Sequence, residues 1–380
     1  MKLTDVVNRI NGNVDRFTTD LEYYIGGEHF ESEELIICKR GIIKDNLGKL
    51  GFKFHFAFQD RDVIFMARNP HLRKAGMVRF SGLCSDASYI LRSKDEKVIS
   101  QEFLAILLQS DRFWDYCESH KVGSVNFANN WSTIANYEFD LPSPEFQKII
   151  SEKVWAAYEV KQSYLKMIEA TQEMVKSQFI EEFGSSESTK PLADFIEVSF
   201  PGEWGQEDKN GDGVKVIRTT NFTNTGKLDL TDVVTRDIDA AKVEKKKLKK
   251  GDILLERSGG TNDNPVGRVV CFDEEGTFLF NNFTQLLRCK EGANPTFLFY
   301  SLFNFYWTNK GAIRGMGNKT TGIQNLKMDK YWQIPIADVP IESQEEFESI
   351  YNQADKSEFE LRKSIDAIDN VIKSLINENL

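Results

Sequence analysis

Cysteine, histidine and long apolar runs are all scarce in these 380 residues, and each scarcity excludes a class of function. The five cysteines (Cys38, Cys84, Cys117, Cys271, Cys289) are widely spaced and form no CxxC pair. Several sit in strand-like apolar runs such as Val269-Val270-Cys271-Phe272, which reads as reduced core thiols rather than metal or redox chemistry. Four histidines (His29, His55, His71, His120) without metal-ligand spacing argue against zinc. No run of about 18 apolar residues could cross a bilayer, so no membrane span is expected. The chain enters an amphipathic segment at Met1-Lys2-Leu3-Thr4-Asp5 with no apolar leader core, which points to the cytoplasm. A GxxxxGK[ST] phosphate loop is missing, and with it an ATP motor. A base-modifying methyltransferase needs a glycine-rich cofactor loop and an Asn/Asp-Pro-Pro-aromatic motif. The nearest string, Arg68-Asn69-Pro70-His71, lacks the second proline and the aromatic, and reads as a turn.

What is present is unevenly distributed charge. The formal net charge of −10 opposes nucleic-acid binding, because phosphate contacts leave a basic footprint. Yet residues 342–378 alone hold ten acids against four bases, a local −6. Residues 38–79 hold ten bases against three acids, a local +7. A basic region sits inside an acidic chain.

The chain also repeats itself, with a period close to half its length. Leu3-Thr4-Asp5 matches Leu192-Ala193-Asp194, Tyr24-Ile25 matches Val216-Ile217, and Asp62-Val63-Ile64-Phe65 matches Asp252-Ile253-Leu254-Leu255. Met77-Val78-Arg79-Phe80 then matches Val269-Val270-Cys271-Phe272, Phe113-Trp114 matches Tyr306-Trp307, and Leu141-Pro142 matches Ile334-Pro335. The offsets drift by a few residues, as loop insertions would make them. Short β-branched and aromatic runs (35–38, 52–58, 63–67, 89–91) read as strands, and 100–118 and 295–307 as helices packed on them. Each half is therefore expected to be a mixed α/β globule. Phe54, Phe56 and Phe58 alternate at strand spacing and read as core.

Each globule is followed by a long helix. Ser143-Pro144-Glu145 is an N-cap, a proline at the first helical position and an acid in the first turn. The helix can run to Phe183 before Gly184, roughly 60 Å at 1.5 Å per residue. Ser343 with Glu346 forms the corresponding capping box in the second half. The heptad seam is Ile150, Val154, Ala157, Lys161, Tyr164, Ile168, Thr171 and Val175, and 200 residues later Ile350, Ala354, Ser357, Leu361, Ser364, Ile368, Val371 and Leu375. The expected architecture is two pseudo-repeated α/β domains (1–142 and 185–340) and two antiparallel helices (143–184 and 341–380) forming a coiled-coil spacer.

This order resembles the specificity subunit of Type I restriction-modification enzymes. The first globule carries the resemblance in Tyr24-Ile25-Gly26-Gly27-Glu28, Gly51-Phe52-Lys53-Phe54, Ser81-Gly82-Leu83-Cys84-Ser85, Asn130-Trp131 and Asp140-Leu141-Pro142-Ser143-Pro144. The second carries it in Gly251-Asp252-Ile253-Leu254, Val266-Gly267-Arg268, Asn281-Asn282 and Gly317-Asn318-Lys319-Thr320-Thr321-Gly322. The resemblance implies that each globule is a target recognition domain reading half of a split double-stranded DNA target. It implies that the helices set the gap and dock two adenine methyltransferase subunits, to which restriction/translocase subunits add an ATP-dependent nuclease. No cofactor is expected on this chain; SAM and ATP/Mg would belong to the partners. No catalytic and no metal-binding residue is expected here.

Base edges need Arg, Lys, Asn, Gln, Ser or Thr on loops, while phosphates accept almost any donor. The candidates in the first globule are Lys53, His55, Arg68, His71, Arg73, Lys74, Ser124, Asn126, Asn129 and Asn130. Those in the second are Arg218, Thr219, Thr220, Asn221, Arg257, Ser258, Arg268, Arg314, Lys319, Thr320 and Thr321. The lysine run from Lys242 to Lys250 reads as a solvated face. A two-headed coiled-coil adaptor that binds proteins explains the helices and the acidity equally well, but leaves the basic stretch from Lys39 to Arg79 unexplained.

Overall fold

The structure, a computed structural model, describes residues 1–125, 127–261, 263–320 and 323–380, with the backbone alone at Lys319 and Thr320. It divides into two compact units, Met1–Met167 with Glu360–Leu380, and Ile168–Phe359. The two long helices, Pro144–Phe183 and Ile341–Asn377, are each shared between the units. Among the described residues no helix is long and apolar enough to cross a membrane.

In the first unit a five-stranded sheet has Val63–Met66 at its centre, flanked by Ser88–Ser93 and Ala75–Val78, with Val7–Ile10 and Ile36–Ile37 at the edges. All its pairings are antiparallel except Ile36–Ile37 on Ala75–Val78. The central strand is buried on both faces, and alternation decides what each side chain meets. Val63 and Phe65 join the helices Gln101–Leu107 and Asp111–Ser119 through Phe103, Leu104, Phe113 and Trp114. Ile64 and Met66 face a second sheet, meeting Ile25, Phe58 and Cys84. That sheet orders Gly41–Ile42, Tyr23–Ile25, Gly82–Ser85 and Phe54–Phe58. Phe58 is buried, while Phe54 and Phe56 are only half-buried. Each large apolar side chain fully buried this way stabilises by about 1.5–3 kcal/mol. The single helix expected over 100–118 is two, because Ser110 accepts from the Phe113 amide and starts a new one.

The second unit repeats this plan. Ile253–Glu256 is the buried central strand between Thr284–Cys289 and Val269–Cys271, with Ile196–Val198 at the edge. Its second sheet pairs Val214–Ile217 parallel to Phe278–Phe280, as Tyr23–Ile25 pairs parallel to Gly82–Ser85. Asp62 and Asp252, each 1% exposed, are matched internal anchors. Asp62 takes two bonds from Arg92 (2.7 and 2.8 Å) and one from the Gln59 amide. Asp252 takes two from Arg288 (both 2.7 Å) and one from the Lys249 amide. The offset is 190 on the central strand and 194 on the next, since Lys74 and Arg268 hold the same register position. The loop 257–267 is thus four residues longer than 67–73, and the match of Met77 to Val269 slips by two.

Within the first unit Ile150, Val154 and Tyr158 pack with Ile372 and Ile376; within the second Val175, Phe179 and Phe183 pack with Phe347. Early turns of one helix meet late turns of the other, so the pair is antiparallel. The helix starts correct the expected register. Gln147 bonds the Pro142 and Val98 carbonyls (2.9 Å each), and Gln344 bonds the Val339 carbonyl (3.0 Å) and accepts from the Asn294 amide (3.0 Å). These two glutamines are 197 apart, not 200. Accordingly Phe347, Ile365, Ile372 and Ile376 are the buried apolar positions of the second helix, while Val371 is 52% exposed. Ile350, Ala354, Leu361, Ile368 and Leu375 are half-buried flanks; Ile150, Val154, Ile168 and Val175 are buried, and Ala157 and Tyr164 half-buried. The second helix opens at Ile341, two residues ahead of Ser343, so Ser343 and Glu346 form no capping box. Pro335–Ala337, just ahead of it, is a strand on Thr189–Pro191.

Candidate nucleic-acid interface

A strand buried on both faces must deliver its chain to the surface at its end, and both central strands do so in the same way. In the first unit the Ala67 amide donates to the Ala87 carbonyl (2.8 Å), and the Ala67 carbonyl accepts from the Asn129 amide (2.9 Å). In the second the Arg257 amide donates to the Phe283 carbonyl (2.9 Å), and the Arg257 carbonyl accepts from the Leu326 amide (2.8 Å). Arg68 bridges to Ala128, as Ser258 pairs with Asn325. Three loops therefore meet at one edge of each unit. They are the loop after the central strand, the turn before the next long strand (85–88 and 281–284), and the segment 121–130 or its counterpart hairpin of Gly317–Thr320 and Ile323–Leu326.

Several candidates gather at these edges. Arg68 and His71 are exposed around the turn Pro70–Leu72, and Ser124 and Asn130 are exposed on the facing loop. Lys53 reaches the same edge and pairs with Asp86 at 3.4 Å. His55 is half-buried, its Nδ1 3.3 Å from the Phe52 carbonyl. In the second unit Arg257 is half-buried beside Gln285, Ser258 bonds Asn325 (2.7 Å), and exposed Arg314 leads into the hairpin. The backbone of Lys319 and Thr320 forms one hairpin strand. Asn126 and Thr321 lie outside the described residues. Sequence reasoning missed Gln324 and Asn325, half-buried amides on the hairpin's other strand, and the tips Phe52 and Val125, 76% and 84% exposed. Their signal was a polar pair held between Ile323 and Leu326, and apolar residues inside polar loops.

Other candidates are internal hardware. Asn129 is 1% exposed and bonds the Cys117 carbonyl (2.8 Å). Asn221 is 3% exposed and caps a turn by accepting from the Arg218 amide (2.8 Å), as His29 accepts from the Gly26 amide (2.8 Å). Thr219 and Thr220 belong to that turn, half-buried and exposed respectively. Lys74 donates to the Gly27 carbonyl (2.8 Å), and Arg268, its counterpart, donates to the Thr219 and Phe222 carbonyls and to Glu256 (2.7 Å). Both tie the central sheet to the turn after a parallel-paired strand of the second sheet, Tyr23–Ile25 or Val214–Ile217. Arg73 sits at φ 45° at the loop base, clamped by Glu33 (2.8 Å) and Asp111. Arg218 is paired with Asp232 at 2.8 Å. Basic residues offered as candidate contacts are thus partly spent on the fold.

The lysine run is also engaged. Lys242 and Lys246 pair with Glu203, Lys247 with Glu244, and Lys250 with Asp273 and Glu275. The bond from Lys246 holds the Glu203 carboxyl below the usual range. Burial pushes the Cys84, Cys271 and Cys289 thiols each up to about 12, the state of inert core sulfur. Among the described residues no group of three or more His, Cys, Asp or Glu could hold a metal ion. What the edges offer is hydrogen-bond donors and cations on paired loops over rigid sheets, which can bind a polyanion and read polar edges.

Comparison with known proteins agrees with this geometry. Residues 187–368 match the family model described as the Type I restriction modification DNA specificity domain. The whole chain is similar in fold to the S subunit of a Type I restriction-modification system from M. genitalium, with TM-score 0.55, 11% identity, and coverage of 100% of this chain and 95% of that one. A second similar structure comes from work on complex assembly and conformational transition of the type I R-M system, with TM-score 0.54, 17% identity, and coverage of 100% and 97%. No curated protein sequence matches the chain.

Proposed function

We propose that the chain is a DNA specificity subunit of a Type I restriction-modification system, the family whose model residues 187–368 match, and that each of its two units reads one half of a split DNA target. As a specificity subunit it is non-catalytic and directs the complex to its target. The observation that carries the two-reader proposal is the three-loop edge, built with the same backbone bonds in both units but with loops of different length and chemistry. Shared bonds hold each edge in place; differing side chains let the two edges prefer different bases. In the first unit Arg68, His71, Ser124 and Asn130 are the proposed contacts; in the second, Arg257, Ser258, Arg314 and the paired strands Gly317–Thr320 and Ile323–Leu326.

The paired helices act as the spacer that sets the gap, and as the surface on which two adenine methyltransferase subunits dock. SAM binds those partners, and ATP with Mg the restriction/translocase subunits; this chain works with them in the cytoplasm. Mapping methylated adenines in cells that express the chain with its methyltransferase partner tests the proposal. Two short defined segments separated by a constant unread gap are expected. A single contiguous target would refute the two-reader account and favour one recognition surface.

A further inference from the structure

The repeat raises a physical problem. If the two halves share one plan, the helix of one chain's second half could pair with the same helix of another chain, and apolar contact, being non-directional, discriminates weakly against it. Two polar pairs join the helices. Lys161 (8% exposed) lies on the first helix and bonds Asp369 on the second at 2.8 Å, inside the first unit. Glu358 (6% exposed) lies on the second helix and accepts from Gln172 on the first at 3.0 Å, inside the second unit.

At the offset of 197 these are the same pair twice. Lys161 corresponds to Glu358, and Gln172 to Asp369, so the buried charge is reversed and the carboxylate partner has become an amide. The globules follow the reversal. Lys161 also pairs with Glu34 of its globule, and Glu358 with Lys227 of its own (3.9 Å). The consequences for like-with-like pairing follow. Two second helices would set Glu358 against Asp369, two carboxylates. Two first helices would set Lys161 against Gln172 and lose its second carboxylate.

We propose that Lys161, Gln172, Glu358 and Asp369 form a pairing code, by which each half of this chain accepts the other half and rejects a second copy of itself. Selectivity of this kind is a difference of affinities, obtained by building repulsion against the wrong partner. It keeps two unlike edges in one molecule, and does not depend on what those edges bind.

The test is the oligomeric state of the full chain, by light scattering coupled to size exclusion at micromolar concentration, with circular dichroism to monitor folding. The wild-type chain should be monomeric. Gln172→Asp opposes a carboxylate to Glu358 in the native pairing and offers Lys161 a partner in a first-with-first dimer. The dimer fraction should rise at least tenfold, and adding Glu358→Gln should return it to the wild-type level. Should Gln172→Asp fail to fold, Asp369→Gln decides, since it removes the repulsion between second helices and should also raise the dimer fraction. The inference is overturned if the folded variants stay as monomeric as wild type, or if Glu358→Gln leaves a Gln172→Asp dimer intact.

Discussion

His29 and Asn221 do one job with different chemistry: each accepts a backbone N–H three residues back and closes the turn after a strand of the second sheet, Tyr23–Ile25 or Val214–Ile217. Burial holds His29 below the ordinary histidine value of 6.5, against the opposing pull of Glu28. As pH falls through 6.5 the unfolded chain takes up a proton that the folded chain refuses, so this site's stabilisation is present above 6.5 and lost from there down to the folded value. His29→Asn, copying the second unit, should flatten the fall in thermal midpoint between pH 7 and pH 5; an unchanged slope would remove His29 as its source. Asn129 and Arg68 separate folding from reading in the same way. Asn129→Ala leaves the Cys117 carbonyl without its buried donor and should cost about 1–3 kcal/mol of stability. Arg68→Ala should leave urea unfolding within about 0.5 kcal/mol of wild type while weakening DNA binding by the complex. If the effects were exchanged, the assignment of these residues would be wrong. Residue type did not separate buried Asn129 from exposed Asn130 in the sequence, because an asparagine on a polar loop looks the same whether it points outward or back into the sheet.

At the level of elements, the central strands were legible because Asp62-Val63-Ile64-Phe65 and Asp252-Ile253-Leu254-Leu255 are short apolar runs bounded by the same acid. Their partners Arg92 and Arg288 were not, since loop insertions between strand and partner change the offset from 190 to 196. The long helices were legible in extent but not in register. Amphipathic positions on the second helix fit a heptad at 200 nearly as well as at 197, and only the tertiary bonds of Gln147 and Gln344 select the latter. The difference is measurable. Ile372→Ala removes side-chain volume from the cluster with Ile150, Val154 and Tyr158, and should cost about 2–5 kcal/mol. Val371→Ala, on the exposed side, should change stability by less than about 0.5 kcal/mol in the same denaturant titration. Equal losses would restore the seam read from the heptads.

For the molecule as a whole, compact units do not coincide with the order of elements along the chain. Each contains one globule and stretches of both helices, so the first unit cannot be completed without the last 21 residues. The sequence, read linearly, shows globule, helix, globule, helix; the sharing of helices appears only when distant segments meet. The same view reconciles a net charge of −10 with a DNA target. Ten acids lie in residues 342–378, nearly all on the second long helix, while the exposed donors gather on loops at the strand ends. The most direct test of the central claim, one reader per unit, is a map of methylated adenines for a chimera. Residues 1–142 would be exchanged for the corresponding domain of another family member, and the chimera expressed with its methyltransferase partner. The account predicts that one half of the methylated target changes while the other half and the gap stay as they were. A change in both halves at once, or in neither, would contradict it.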